Sequence, residues 1–208
     1  MQKHNTIKWS LGRDWHRLHP NVQKRFNRLP TEDNPILYEG VMERVECSKA
    51  GQLFAFLTKV IGNPLSPHQG TDIKMSVQLT SSADKPGVHW KRTYFFPGKA
   101  PFSVTSTKKD DRGKMMEMVG GGFGMFLDVY AENGELHFKS TRYFWKFMRW
   151  YLPLPHWLSP GKTHVIHQDL GHGNFRFTIT MDHPVLKRTF YQTGIFCEVS
   201  NQEQANDG

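Results

Sequence analysis

The stretch Leu127-Asp-Val-Tyr-Ala-Glu-Asn133-Gly134-Glu-Leu-His-Phe-Lys-Ser140 decides the fold. Asn-Gly suits a type I′ turn, whose two central residues both need positive φ, and such a turn joins antiparallel strands through a two-residue loop. That loop sets Ala131 opposite Leu136, Val129 opposite Phe138 and Leu127 opposite Ser140, an almost wholly apolar face. The other face pairs Tyr130 with His137 and Asp128 with Lys139, a cross-strand charge match. A slip of one residue would exchange the two faces, so turn and pattern demand the same register.

Working outward, the period-two pattern recurs along most of the chain. Ile73, Met75, Val77 and Leu79 alternate with polar residues, and Asp84-Lys-Pro-Gly87 turns into further strands over 88–96, 101–107 and 114–119. A second hairpin joins 163–169 to 174–182 through Gly171-His-Gly173, and a last strand runs over 187–199. A first strand is expected over 38–48. Helical spacing appears only in a short segment after His19-Pro20 and over 49–61, where Leu53, Phe56, Leu57 and Val60 recur before Gly62 and Pro64. The fold class is therefore mainly β (α+β): about ten antiparallel strands curled into a barrel or half-barrel, with a sandwich as the alternative. Parallel pairing is disfavoured because crossover helices are missing. The expected organisation is a basic N-terminal segment over 1–37, a single β domain over 38–200 and a frayed polar tail over 201–208.

The 208 residues are 38% hydrophobic and 13% aromatic, enough to bury a sizeable core. The formal charge of +8 would point to nucleic acid or an anionic surface, but residues 1–28 carry Lys3, Lys8, Arg13, Arg17, Lys24, Arg25 and Arg28 against Asp14 alone. The rest is nearly balanced, and no zinc-finger spacing or RNA-binding aromatic motif accompanies the arm, which argues against nucleic acid. No apolar run is long enough to span a bilayer, and the N-terminus has neither an apolar core nor a cleavage site, so a cytoplasmic location is expected. Cys47 and Cys197 are too few for a disulfide framework and read as small, reduced core residues.

Several landmarks resemble an uncharacterised bacterial family, the domain of unknown function DUF4166. They are Leu11-Gly-Arg-Asp-Trp15-His-Arg-Leu18-His19-Pro20-Asn-Val-Gln23-Lys-Arg25-Phe26, Tyr38-Glu-Gly40-Val41-Met42, Gly62-Asn-Pro64-Leu65, Trp90-Lys-Arg92, Leu152-Pro153-Leu154-Pro155 and Gly173-Asn-Phe175-Arg176-Phe177, followed by Pro184 and Tyr191. The resemblance covers nearly the whole chain and implies no activity.

Motifs for catalysis or metal binding are missing. His164 and His167 lie three apart in a strand and so point to opposite sides, and with His172 they read as surface histidines. There is no His-Glu-x-x-His, Cys-x-x-Cys or Gly-x-Ser-x-Gly, so no metal, cofactor or catalytic residue is assigned. Gly120 to Gly124 reads as a bend between strands rather than a phosphate loop.

Two arginines stand out. Val88, Trp90, Arg92, Tyr94 and Phe96 share one face, and continuing the hairpin register past Ser140 sets Arg142 on the apolar side as well. A buried guanidinium needs a partner. That partner is either a carboxylate of the protein, with Glu117 the candidate, or an anionic ligand inside the barrel. The aromatic segment 144–158, with Trp145, Trp150, Tyr151 and Trp157, is expected to cap the barrel end, as packed core, a lid or a membrane-interface patch.

The leading functional reading is a non-enzymatic binding module for a small apolar or lipid-like molecule with an acidic head. Arg92 and Arg142 would hold the head, and Trp90, Tyr94 and Phe138 would line the cavity. The alternatives are an enzyme using a His–acid pair on a hydrophobic substrate, and a protein-interaction module or one that docks on an anionic membrane surface.

Overall fold

Asn133 and Gly134 both take positive φ, 52° and 80°, as the type I′ turn requires. The strands they join, β6 (Phe123–Glu132) and β7 (Glu135–Phe147), pair in the expected register, with Ala131 opposite Leu136, Val129 opposite Phe138 and Asp128 opposite Lys139. The computed structural model describes residues 5–58 and 65–199.

Around this hairpin the chain forms β1 (Ile36–Cys47), β2 (Gly70–Thr80), β3 (Val88–Phe95), β4 (Phe102–Asp111) and β5 (Lys114–Gly120) on one side. Beyond β7 come β8 (Trp150–Pro153), β9 (Lys162–Gly171), β10 (Asn174–His183) and β11 (Lys187–Glu198). Each strand pairs antiparallel with its neighbour, β1 pairs with β11, and β7 pairs with β9. Ten strands thus close into a barrel, which removes the exposed sheet edges that invite aggregation. The additional strand, β8, pairs with the far end of β7.

Alternation decides what lies inside. Met75, Val77 and Leu79 of β2, Trp90, Arg92 and Tyr94 of β3, Phe175, Phe177 and Ile179 of β10 and Phe190 and Phe196 of β11 are all buried. Five register shifts interrupt the alternation. At one of them Thr141 is the extra residue of β7, with Leu127 paired to Ser140 but Phe126 to Arg142. A bulge of this kind swaps the faces of everything beyond it. Tyr143 therefore turns inward and Arg142 outward, where it is exposed. The expected inward Arg142 is overturned by that one inserted residue.

The two ends of the barrel differ. At one end lie α1 (Thr6–Leu11), a 3₁₀ turn (Gly12–Arg17) and α2 (Pro20–Asn27), which starts with a proline at its first position as expected. Leu11, Trp15, Leu18, Val22 and Phe26 from these elements are buried in the same core as the strands. The His19 amide donates to the Gly134 carbonyl at 2.9 Å, tying the plug to the hairpin turn. The basic arm is held too. Arg25 pairs with Asp169 at 3.5 Å and lies 4.0 Å over the Phe175 ring, and Arg28 pairs with Glu198.

At the opposite end lie α3 (Lys49–Leu57), the β3–β4, β5–β6 and β10–β11 turns, the β7–β8 hairpin and a 3₁₀ turn (His156–Leu158). Ser48 caps α3, accepting from the Gly51 amide at 3.1 Å. Its apolar stripe does not face the core: Leu53, Phe56 and Leu57 are exposed, while Gly51 and Ala55 pack against the barrel. A Cβ at position 51 would meet the Thr189 carbonyl, so only glycine permits this approach. The remainder of the expected 49–61 helix, with Gly62, and the expected tail lie outside the described residues. The segment 144–158 lies at this barrel end as expected, but not as packed core. It is mostly strand, and Trp145, Trp150 and Trp157 are exposed. Cys47 is buried, but Cys197 lies on the outer face of β11 and is exposed, against the reading of both as core thiols.

Candidate functional site

One inner wall of the barrel carries charge. Lys108 on β4 stands directly opposite Glu117 on β5, and Arg92 on β3 reaches the same carboxylate. Lys108 Nζ lies 3.0 Å from Glu117 Oε2, and Arg92 Nη2 lies 3.5 Å from Oε1. Arg92 Nη1 also donates to Ser106 Oγ at 3.2 Å. All four residues are buried. Aromatic faces supply part of what water would: Lys108 Nζ lies 4.7 Å from the Trp90 ring centre and 5.5 Å from that of Phe138.

One carboxylate thus serves two buried cations. Burial by itself would raise the Glu117 carboxyl, but the charges of Lys108 and Arg92 and hydrogen bonds from Ser106 and Lys108 outweigh it and hold it at about 2. Lys108 moves the other way. Burial is the largest cause and Arg92 adds to it, so that despite Glu117 its ammonium falls to about 8. His167, also inside, is pushed well below its ordinary value by burial and by the nearby Arg25, Lys108 and Arg92, so it is neutral at pH 7.

Above this cluster a cavity of about 420 Å³ extends to the open end. Arg92, Ser106 and Glu117 form its polar floor. Val104, Met125, Val165, Ile179 and Met181 line its wall, and Phe54, Leu57, Leu154 and Leu158 surround the mouth. Tyr143, brought inward by the Thr141 bulge, lines it as well, with its hydroxyl 2.8 Å from the Gly161 carbonyl and 2.6 Å from Thr163 Oγ1. Below Arg92 a smaller void of about 50 Å³, walled by Trp90, Lys108, His167 and Phe26, is closed by the N-terminal plug.

Of the residues singled out from sequence, Arg92 borders both spaces. Trp90 borders only the lower void. Tyr94 donates to Gln192 Oε1 at 2.7 Å inside the barrel, and Phe138 is packed between Phe26 and His167; neither borders the cavity. Arg142 is outside. Trp145, Trp150, Tyr151 and Trp157 do not border the cavity either, although Leu154 and Leu158 of the same segment do. Lys108 lies one residue past the strand expected over 101–107, which runs on to Asp111. Extending the alternation of Val104 and Ser106 by one step would have set it inside. Tyr143 carried no such signal, since no sequence rule announced the bulge.

The histidines divide as their spacing requires, with one correction: His164 is on the outer face, 3.0 Å from His137, whereas His167 is buried inside. Among the described residues no three metal-ligating side chains come together. The histidine–carboxylate contacts among them, His19 with Asp169 and His137 with Glu135, lie away from the cavity. No helix among them is long and apolar enough to cross a membrane.

The chain is similar to an uncharacterized protein of Bacillus subtilis (strain 168), YndH, at 25% identity over 195 residues, which covers 89% of this chain and 93% of that one. A family model described as a domain of unknown function, DUF4166, matches residues 18–196, the span from just before α2 through all but the end of the last strand. The chain belongs to the DUF4166 family.

Proposed function

We propose that the barrel binds a small apolar molecule with an acidic head group, the head meeting Arg92 at the cavity floor and the body lying along the apolar wall. The observation that carries this is the surplus of one positive charge in the cluster of Arg92, Glu117 and Lys108, of which Arg92 and Glu117 floor an apolar cavity about 420 Å³ in volume while Lys108 lies behind them. Buried charges are costly unless neutralised, and a ligand carboxylate or phosphate would balance the Arg92, Lys108 and Glu117 cluster. A cationic head would worsen the imbalance. Arg92 has five N–H donors, and Ser106 and Glu117 accept only two of them in the described bonds. The volume falls in the usual range for small-molecule sites.

Competition of dodecanoate and dodecanol against the fluorescent probe N-phenyl-1-naphthylamine tests this reading. The acid is expected to displace the probe roughly tenfold or more better than the alcohol, as one or two charge-assisted hydrogen bonds imply. Arg92→Met should remove that preference while leaving dodecanol unaffected. Equal displacement by acid and alcohol in the wild-type protein would overturn it.

A further inference from the structure

We propose that the open end of the barrel docks on an anionic phospholipid surface, with α3 and the 156–158 turn entering the interface so that the cavity mouth faces the bilayer. This goes beyond ligand binding and does not require the cavity to be filled.

Antiparallel connectivity brings α3, the 3₁₀ turn, the β10–β11 turn and the β7–β8 hairpin to the same end of the barrel. Each exposes large apolar side chains there: Phe56 is 72% exposed, Trp157 67%, Val185 77%, and Met148 and Trp150 at the hairpin tip 79% and 64%. Single exposed apolar residues are ordinary, but a group drawn from four separate segments marks an interaction surface. Phe54, Leu57 and Leu158 of these segments border the cavity, so the apolar surface is continuous with the mouth.

Charge and residue type identify the occupant. The segments 49–58, 65–69, 96–101, 121–122, 146–162 and 183–187 contain Lys49, Lys99, Lys146, Arg149, Lys162 and Lys187 and not one Asp or Glu. The acids closest in sequence are Asp182, Glu46 and Asp72; Asp182 is paired with Arg188 at 3.2 Å and Glu46 with Arg44, while Asp111 reaches the β7–β8 hairpin by accepting from Tyr151 Oη at 2.6 Å. Tryptophan among lysine and arginine is the composition of the headgroup boundary, where indole rings sit at the polar level and basic side chains meet lipid phosphates. A helix of nine residues whose apolar stripe points outward, as α3 does, fits a surface that its apolar face can enter. A protein partner of the same charge would be met as well by an unadorned basic patch; the exposed indoles and Phe56 are what a bilayer uses.

Vesicle flotation with the full chain tests the proposal, comparing phosphatidylcholine alone with phosphatidylcholine containing phosphatidylglycerol. Wild-type protein is expected to float with the anionic vesicles at low salt, to bind the neutral ones at least tenfold more weakly, and to lose binding as salt rises. Phe56→Ser and Trp157→Ser, at exposed positions that the fold does not use, should each weaken anionic binding roughly tenfold. Trp9→Ser, an exposed tryptophan at the plugged end, should not. Arg92→Met should float like wild type, so this proposal and the ligand-binding one fail separately. Failure of the wild-type protein to bind anionic vesicles at low salt would overturn it. So would equal loss in Trp9→Ser, which would assign binding to the N-terminal arm, or unchanged binding in both mouth variants.

Discussion

Glu117 holds two cations with one carboxylate, and the two cations are not equivalent. Lys108 lies directly across the ladder at 3.0 Å, while Arg92 reaches over at 3.5 Å from the cavity floor. Removing the acid strands both charges, so Glu117→Gln is expected to destabilise the fold by about 3–5 kcal/mol in urea unfolding. Arg92→Met leaves a balanced Lys108–Glu117 pair and should stay within about 1 kcal/mol of wild type, or be more stable, even though it removes the proposed head-group contact. Stability should also rise with pH in two separate windows, one acidic and one alkaline. Glu117 titrates lower folded than unfolded, so its contribution is complete above about 4.5 and is lost as pH falls towards 2. Lys108 also titrates lower folded, at about 8 against an ordinary 10.5, but for a base this means the unfolded chain binds the proton more tightly. Stability should therefore rise between those two values, and Lys108→Met should remove the rise. Urea midpoints measured across pH on wild type, Glu117→Gln and Lys108→Met check both rises.

The β6–β7 hairpin shows which elements could be read from sequence and which could not. Its turn chemistry, its apolar face and the Asp128–Lys139 pair all agreed on one register, and the strands pair that way down to Leu127 and Ser140. Past Thr141 the alternation restarts on the other face, because a bulge depends on the curvature the barrel needs rather than on any local preference. That is why the alternation alone sets Arg142 inside and gives no sign of Tyr143 there. Deleting Thr141 should restore the unbroken alternation, turn Tyr143 out of its bonds to Gly161 and Thr163, and bury Arg142 without a described acid beside it. We expect a loss of more than about 4 kcal/mol, visible as a collapsed melting transition. Tyr143→Phe, which removes only the hydroxyl, should cost about 1–2 kcal/mol. For α3 the spacing of Leu53, Phe56 and Leu57 correctly marked a helix, but periodicity cannot say whether an apolar stripe faces a core or another apolar phase. The 144–158 stretch hid a strand for a related reason: its aromatics pair in a ladder at the barrel rim, where exposure is set by position and not by composition.

At the scale of the whole molecule the barrel is closed at one end by the N-terminal helices and open at the other, and its asymmetry is chemical as well as geometric. The plugged end buries five apolar residues and ties its arginines to Asp169 and Glu198. The open end exposes aromatics among lysines, and the cavity between them ends on Arg92 and Glu117, with Lys108 behind them giving the cluster one positive charge in excess. Hairpin spacing gives about ten antiparallel strands but leaves barrel, half-barrel and sandwich open, and it says nothing of the cavity, whose volume depends on how inward side chains meet across the barrel. The central claim is that this charge receives an acid, and the direct test is carbon NMR of dodecanoate labelled at its carboxyl carbon, titrated with acid in complex with the protein. Bound beside Arg92, the carboxyl signal is expected to stay in its ionised position while free dodecanoate protonates in the ordinary carboxyl range, and to titrate normally when Arg92→Met replaces the wild-type protein. A bound carboxyl that titrates like the free acid in wild type, or identically in both proteins, would contradict the account.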